Sequence, residues 1–120
     1  VSNDARDVGA AADAGNERAK LAMDIMIHNA KKIIGSYIAE MNGIDVLVFT
    51  AGMGENDRLM RELVASDMEY LGIAIDKEVN KNGPRGENLD ISAKDSRVKV
   101  VVIPTDEEFM IAKDTEALVK

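Results

Sequence analysis

Val46-Leu47-Val48-Phe49 is an unbroken run of β-branched and large apolar residues. Without polar alternation, such a run suits a strand covered on both faces. It leads at once into Thr50-Ala51-Gly52-Met53-Gly54-Glu55-Asn56. Glycines at 52 and 54 let the backbone take positive φ and let a ligand approach without meeting a Cβ. Asn56 or Asp57 can then cap a helix to about Met68, with Leu59, Leu63 and Val64 inward and Arg58, Arg61 and Glu62 outward. Strand, glycine turn and helix N-terminus place free N–H groups and a positive dipole end where an anion can sit. A nucleotide phosphate is one candidate. The turn by itself leaves that open, because it has the first two glycines of a dinucleotide fingerprint, lacks the third, and has no Walker lysine.

The chain around this stretch alternates helix and strand. Ser2-Asn3-Asp4 is an N-cap cluster for a short alanine-rich helix that Gly15 ends. Asn16 caps a long helix, roughly Glu17 to Met41, whose apolar stripe includes Ala22, Ile25, Met26, Ala30, Ile33, Ile34, Tyr37, Ile38 and Met41. His28, the only histidine, falls on its polar face and reads as a surface residue. Tyr70 to Ile75 reads as a bend and a short strand, Asp76 to Glu87 as a turn or exposed loop, and Leu89 to Ser92 as a short strand. Val98 to Ile103 is a second strong strand that Pro104 ends. Thr105 or Asp106 caps a last helix, Glu107 to Leu118. The order predicts an α/β unit with a mixed or parallel sheet flanked by helices.

With 120 residues, one domain spanning 1–120 is expected, long enough to bury a core without staples. A net charge of −7 argues against a nucleic-acid surface, which needs a basic footprint. The chain has no cysteine, which removes disulfides and thiolate metal sites and fits a cytoplasmic setting. No apolar run is long enough to span a bilayer as a helix, so no membrane partner is expected. Val rather than Met at position 1 suggests a sequence that starts within a longer protein.

Two features invite a functional reading beside an ordinary one. Asp4 and Arg6 serve a solvated helix start unless they face a ligand. Asp106, Glu107 and Glu108 crowd one helix's first turn, where carboxylates complement the dipole. They also follow a strand end, where open α/β sheets place ligands and a magnesium ion can be held. Local sequence favours the dipole explanation, since it is a routine helix signature.

The motifs taken together resemble the acetate kinase family. Val48 to Asn56 resembles its nucleotide-binding signature. Val102-Ile103-Pro104-Thr105-Asp106-Glu107-Glu108 with Ile111-Ala112-Lys113-Asp114-Thr115 resembles its C-terminal signature. Ser2 to Asp7, Gly15 to Ala22 and Tyr70-Leu71-Gly72-Ile73 also resemble the family, in the expected order. The resemblance implies the C-terminal portion of an acetate kinase, in a ribonuclease-H-like domain of the sugar kinase, Hsp70 and actin superfamily. It implies phosphoryl transfer from ATP to acetate, giving acetyl phosphate and ADP reversibly, with magnesium required. Gly52, Met53, Gly54, Glu55 and Asn56 would line the ATP/ADP site, joined by Asp4, Ala5 and Arg6. Glu107 would be the magnesium-linked acid. Asp106 stands where asparagine is more usual, which leaves the metal contact open between Asp106 and Glu107.

No residue here matches the family's other catalytic groups, which lie upstream, so the expectation is a part of the enzyme, inactive alone, with no catalytic residue of its own. The missing N-terminal half and a second copy forming a homodimer are the implied partners. The alternatives are a propionate or butyrate kinase fragment, a non-catalytic nucleotide-binding or dimerisation module, and a structural domain without ligand.

Overall fold

The structure, a computed structural model, describes residues 2–120; Val1, where the first segment of the sequence begins, lies outside them. Asp4 starts helix α1 (Ala5–Asp13), its carboxylate accepting the Arg6 N–H at 2.8 Å. Gly15, at φ 88°, turns the chain out of it. Asn16 Oδ1 accepts the Ala19 N–H at 3.0 Å and opens helix α2 (Glu17–Glu40), as its residue type predicts.

Strands β1 (Val46–Phe49), β2 (Leu89–Asp90) and β3 (Lys99–Val102) form a three-stranded mixed sheet in the order β1-β3-β2. β1 runs parallel to β3, with Leu47 beside Val100 and Phe49 beside Val102. β2 lies antiparallel on the other edge of β3. Between β1 and β2 come α3 (Ala51–Asn56), α4 (Arg58–Ala65) and α5 (Lys77–Asn82); α6 (Glu107–Val119) follows β3. Phe49, Val100 and Val102 pack against Ile38 of α2, Val64 and Ala65 of α4, and Met68, Ile73 and Ile91. Each large aliphatic side chain taken from water there contributes ~1.5–3 kcal/mol.

The structure changes several expectations. The run at β1 is not covered on both faces: Val46 and Val48 point away from the core and are 48% and 44% exposed. A run apolar on both sides cannot reveal which side is packed. On α2, Ile27, Ala30, Ile34 and Ile38 meet the core, while Ile25, Ile33, Tyr37 and Met41 face outward. Lys31 sits inside the packing stripe because its ammonium reaches Ser66 Oγ at 3.0 Å and Asp67 at 3.5 Å.

The helix expected from Asn56 to Met68 is instead two helices. α3 begins within the glycine stretch, and Asp57 breaks from it to cap α4 by accepting the Met60 N–H at 2.8 Å. The inward face of α4 is also rotated: Arg61 is buried, and Leu59 and Leu63 are exposed. Tyr70 to Ile75 holds a single 3-10 turn, Glu69–Leu71, and one bridge from Ile75 to Ser92 rather than a strand. The stretch expected to be a loop contains α5, whose cap Asp76 accepts the Val79 N–H at 3.0 Å. His28 is exposed, as its position on α2 predicts.

Candidate functional site

Beyond the C-terminal end of β1 the backbone turns sharply. Positive φ falls on Ala51, at 58°, and not on Gly52 or Gly54, which sit in α3 with ordinary helical backbone. A non-glycine residue in the left-handed region carries strain and persists only where its surroundings hold it. The two glycines serve different ends. A Cβ on Gly54 would lie 3.1 Å from the Phe49 carbonyl carbon, so Gly54 is what lets α3 fold back onto its own strand. A Cβ on Gly52 would meet nothing within 4 Å, because Gly52 opens onto a cleft.

That cleft, about 730 Å³, is lined by Asp4, Ala5 and Arg6 of α1, by Gly52, Met53 and Asn56 of α3, and by Asp57, Arg58 and Arg85. Of the residues named from sequence, Gly52, Met53, Asn56, Asp4, Ala5 and Arg6 therefore meet in one place. Gly54 and Glu55 stand behind the wall. Asn56 Nδ2 donates to the Gly52 carbonyl at 3.0 Å and holds the turn closed.

A second cleft, about 410 Å³, shares Gly52 with the first and is lined further by Ala51, Thr105, Asp106, Glu107 and Glu108. Glu55 ties the two together: its Oε1 accepts the Thr105 N–H at 2.9 Å and the Thr105 hydroxyl at 3.1 Å. The end of β3 is thereby fixed against the start of α3. Asp106 Oδ1 accepts the Phe109 N–H at 3.1 Å, so Asp106 is the cap of α6. Among the described residues Glu107 makes no side-chain hydrogen bond or ion pair. No group of three or more His, Cys, Asp or Glu among them could hold a metal unaided.

Two charge arrangements shape the first cleft. Arg6 clamps Asp4, with Nη2 to Oδ2 at 2.6 Å and Nε to Oδ1 at 3.1 Å. This hydrogen bonding holds the Asp4 carboxyl at about 2, below the ordinary 3.8. Arg61, 2% exposed, has no carboxylate partner among the described residues. Its Nη1 donates to the Gly54 and Glu55 carbonyls at 2.8 Å each, and its Nε donates to Asn80 Oδ1 at 2.8 Å. Burial pushes its pKa down, with the nearby Arg58 guanidinium adding to the effect. The carbonyl dipoles at the end of α3 compensate the buried charge.

The sequence reading missed Arg58, Arg61, Asn80, Arg85 and Thr105. Only Asp76, an N-cap type with Glu78 in the following turn, could have pointed to α5 and hence to Asn80.

An α/β unit whose strand ends open onto adjoining clefts, one lined by both guanidinium and carboxylate groups and one edged by the acidic first turn of α6, is what fold and site define. A family model described as the acetokinase family matches residues 1–113. An acetate kinase of Clostridium botulinum is 53% identical over 98% of this chain, and one of Moorella thermoacetica 54% over 100%. The crystal structure of Porphyromonas gingivalis acetate kinase matches with TM-score 0.87 at 51% identity, covering 100% of this chain and 30% of that one. A propionate kinase of Francisella tularensis matches with TM-score 0.79 at 40% identity, covering 92% of this chain and 27% of that one.

The chain belongs to the acetokinase family. Its fold is that of the acetate kinases' α/β architecture, a small mixed sheet flanked by helices. It spans 29% and 30% of the length of the two curated relatives. Among the described residues no helix is long and apolar enough to cross a membrane.

Proposed function

We propose that residues 1–120 form one domain of an acetate kinase, contributing nucleotide and magnesium contacts to transfer of the ATP γ-phosphoryl group to acetate. The observation that carries this reading is that Gly52 lines both clefts, so the glycine turn and the acidic helix start open onto adjoining clefts. The nucleoside end of ATP fits the larger cleft, beside Gly52, Met53, Asn56, Asp4, Ala5 and Arg6. The phosphates cross Gly52 toward Glu107.

The donor set suits magnesium of one kind. Mg²⁺ keeps several waters and takes one or two carboxylates plus substrate phosphates, rather than an all-protein cage. An open carboxylate ledge without three converging ligands fits that habit. Glu107 would hold the ion, directly or through water, since Asp106 already spends an oxygen on capping α6. The ion would neutralise charge spread over the phosphate oxygens. Gly52 gives the ligand close backbone approach, and the Glu55–Thr105 bonds keep the two strand ends in register.

The acetate site and the groups acting on the transferred phosphoryl belong to the missing N-terminal half, and the acyl choice among acetate, propionate and butyrate with them. The isolated chain should form no acetyl phosphate in a coupled assay. In the full-length enzyme, Glu107→Gln should raise the magnesium needed for half-maximal rate by about 10- to 100-fold, while Asp106→Asn, which preserves the cap, should shift it little. Equal magnesium requirements in wild type and Glu107→Gln would defeat the assignment. The protein is read as cytoplasmic, and the apolar face of α2 at Ile25, Ile33 and Tyr37 suits a homodimer contact, which sedimentation of the full-length protein would test.

A further inference from the structure

The segment Asp76 to Glu87 looks like solvated connection in sequence, yet it brings one residue, Arg85, to the larger cleft. Arg58 Nη2 donates to the Gly83 carbonyl at 2.8 Å, mooring the turn after α5 to the start of α4. Asn80 Nδ2 donates to the Arg58 carbonyl at 2.9 Å, and Asn80 Oδ1 accepts from the buried Arg61. A Cβ on Gly83 would collide with the Leu89 side chain, so the turn is pressed against β2 as well. A surface turn with no ligand would need no such anchoring to the network that holds the glycine turn.

What this anchoring delivers is Arg85. Arg85 lines the cleft, and among the described residues its side chain forms no hydrogen bond or ion pair. The other cleft guanidinium groups are committed, Arg6 to Asp4 and Arg58 to Gly83. Arg85 lines only the larger cleft, whereas the acidic first turn of α6 lines only the smaller one; the two carboxylates of the larger cleft are engaged, Asp4 by Arg6 and Asp57 by the Met60 N–H. A ligand spanning both must put its magnesium-bound phosphates on the acidic side and its nucleoside on the side of Arg85.

Resting on the nucleotide reading of this cleft, we propose that Arg85 is a nucleotide-contacting residue whose planar guanidinium lies against the base and ribose rather than the phosphates. A guanidinium stacks on a flat π-system as well as pairing with anions. It recognises the ligand at the end far from the transferred group, so it governs binding and leaves the chemical step alone.

The test uses the full-length enzyme with Arg85→Ala, an exposed loop change that keeps the fold. Calorimetric titration should show ADP and adenosine weakened by the same factor, about tenfold, which corresponds to ~1.4 kcal/mol. The KM for ATP should rise in step with kcat within about twofold of wild type, and inhibition by magnesium tripolyphosphate should not change. Loss confined to tripolyphosphate, with adenosine unaffected, would move Arg85 to the phosphate end and overturn the proposal. Unchanged ADP and adenosine binding in Arg85→Ala, with ADP still weakened by Gly52→Val, would sink the Arg85 assignment alone. If Gly52→Val also bound ADP normally, the nucleotide reading of the cleft would fail with it.

Discussion

Around Gly52 the cleft wall rests on Arg61, a side chain 2% exposed that bonds two carbonyls of α3 and an amide of α5. Around Glu107 the wall is the first turn of α6, a helix with no buried residue. One wall is assembled by buried polar bonds within the chain. The other is a capped helix end tied to the body through Glu55 and Thr105. Side chains on the first wall therefore earn their place through structure as much as through contact with a ligand. Glu107 bonds no other group among the described residues, and within this chain it complements the N-terminal dipole of α6.

The sharpest way to break this contrast is Arg61→Ala. It leaves the Gly54 and Glu55 carbonyls and Asn80 Oδ1 without their donor, and a bond to a charged group is worth ~1.5–3 kcal/mol. Hydrogen exchange in the full-length protein should show α3 and α5 amides losing about 3 kcal/mol of protection, while α6 amides are unmoved. Equal loss in α6 would mean that the two walls form one cooperative unit. Arg61→Lys should recover part of the protection, because a point charge reaches fewer of the acceptors.

Next in size is the pair of glycines two residues apart. Gly54→Ala forces a methyl to within 3.1 Å of the Phe49 backbone and should cost about 1–3 kcal/mol, read as a lower urea midpoint. Gly52→Ala meets open space in a helix and should stabilise by about 0.5–1 kcal/mol, since alanine loses less entropy there than glycine. It should nonetheless weaken ADP binding, because the methyl projects into the cleft. Matching stability changes at the two positions would erase the distinction between a packing glycine and a ligand-facing one.

These residues also mark how far the sequence could be read. Asn16 and Asp106 were legible as caps, and Pro104 as a strand end, because each acts on backbone within a few residues of itself. The glycine turn and the acidic first turn were legible as motifs, and the structure brings them to adjoining clefts. Arg61 was read outward because charge normally seeks water, yet its acceptors are carbonyls that only the fold of α3 presents. Leu59 and Leu63 were read inward because they are apolar, yet this chain leaves them 60% and 41% exposed. The helix α5 escaped notice because its one buried residue, Asn80, is polar and leaves no apolar period. Local chemistry was visible, whereas polar contacts between distant segments left no pattern to see.

The smallest effect concerns the edge of the first wall. Arg6 holds the Asp4 carboxyl at about 2 rather than 3.8, chiefly by side-chain hydrogen bonding. Because the folded value is depressed, ionised Asp4 favours the folded α1. That contribution is whole above pH ~3.8, fades as pH falls, and is gone once Asp4 protonates near 2. Both groups are open to solvent, so salt should shrink the shift. A carbon-detected NMR titration of Asp4 should place its midpoint near 2 in low salt, and Arg6→Ala should move it back toward 3.8. A midpoint already at 3.8 in wild type would show that Arg6 is not clamped by Asp4. Arg6 would then be a second uncommitted guanidinium in the cleft, and Arg85 would lose its distinction as the cation left free for a ligand.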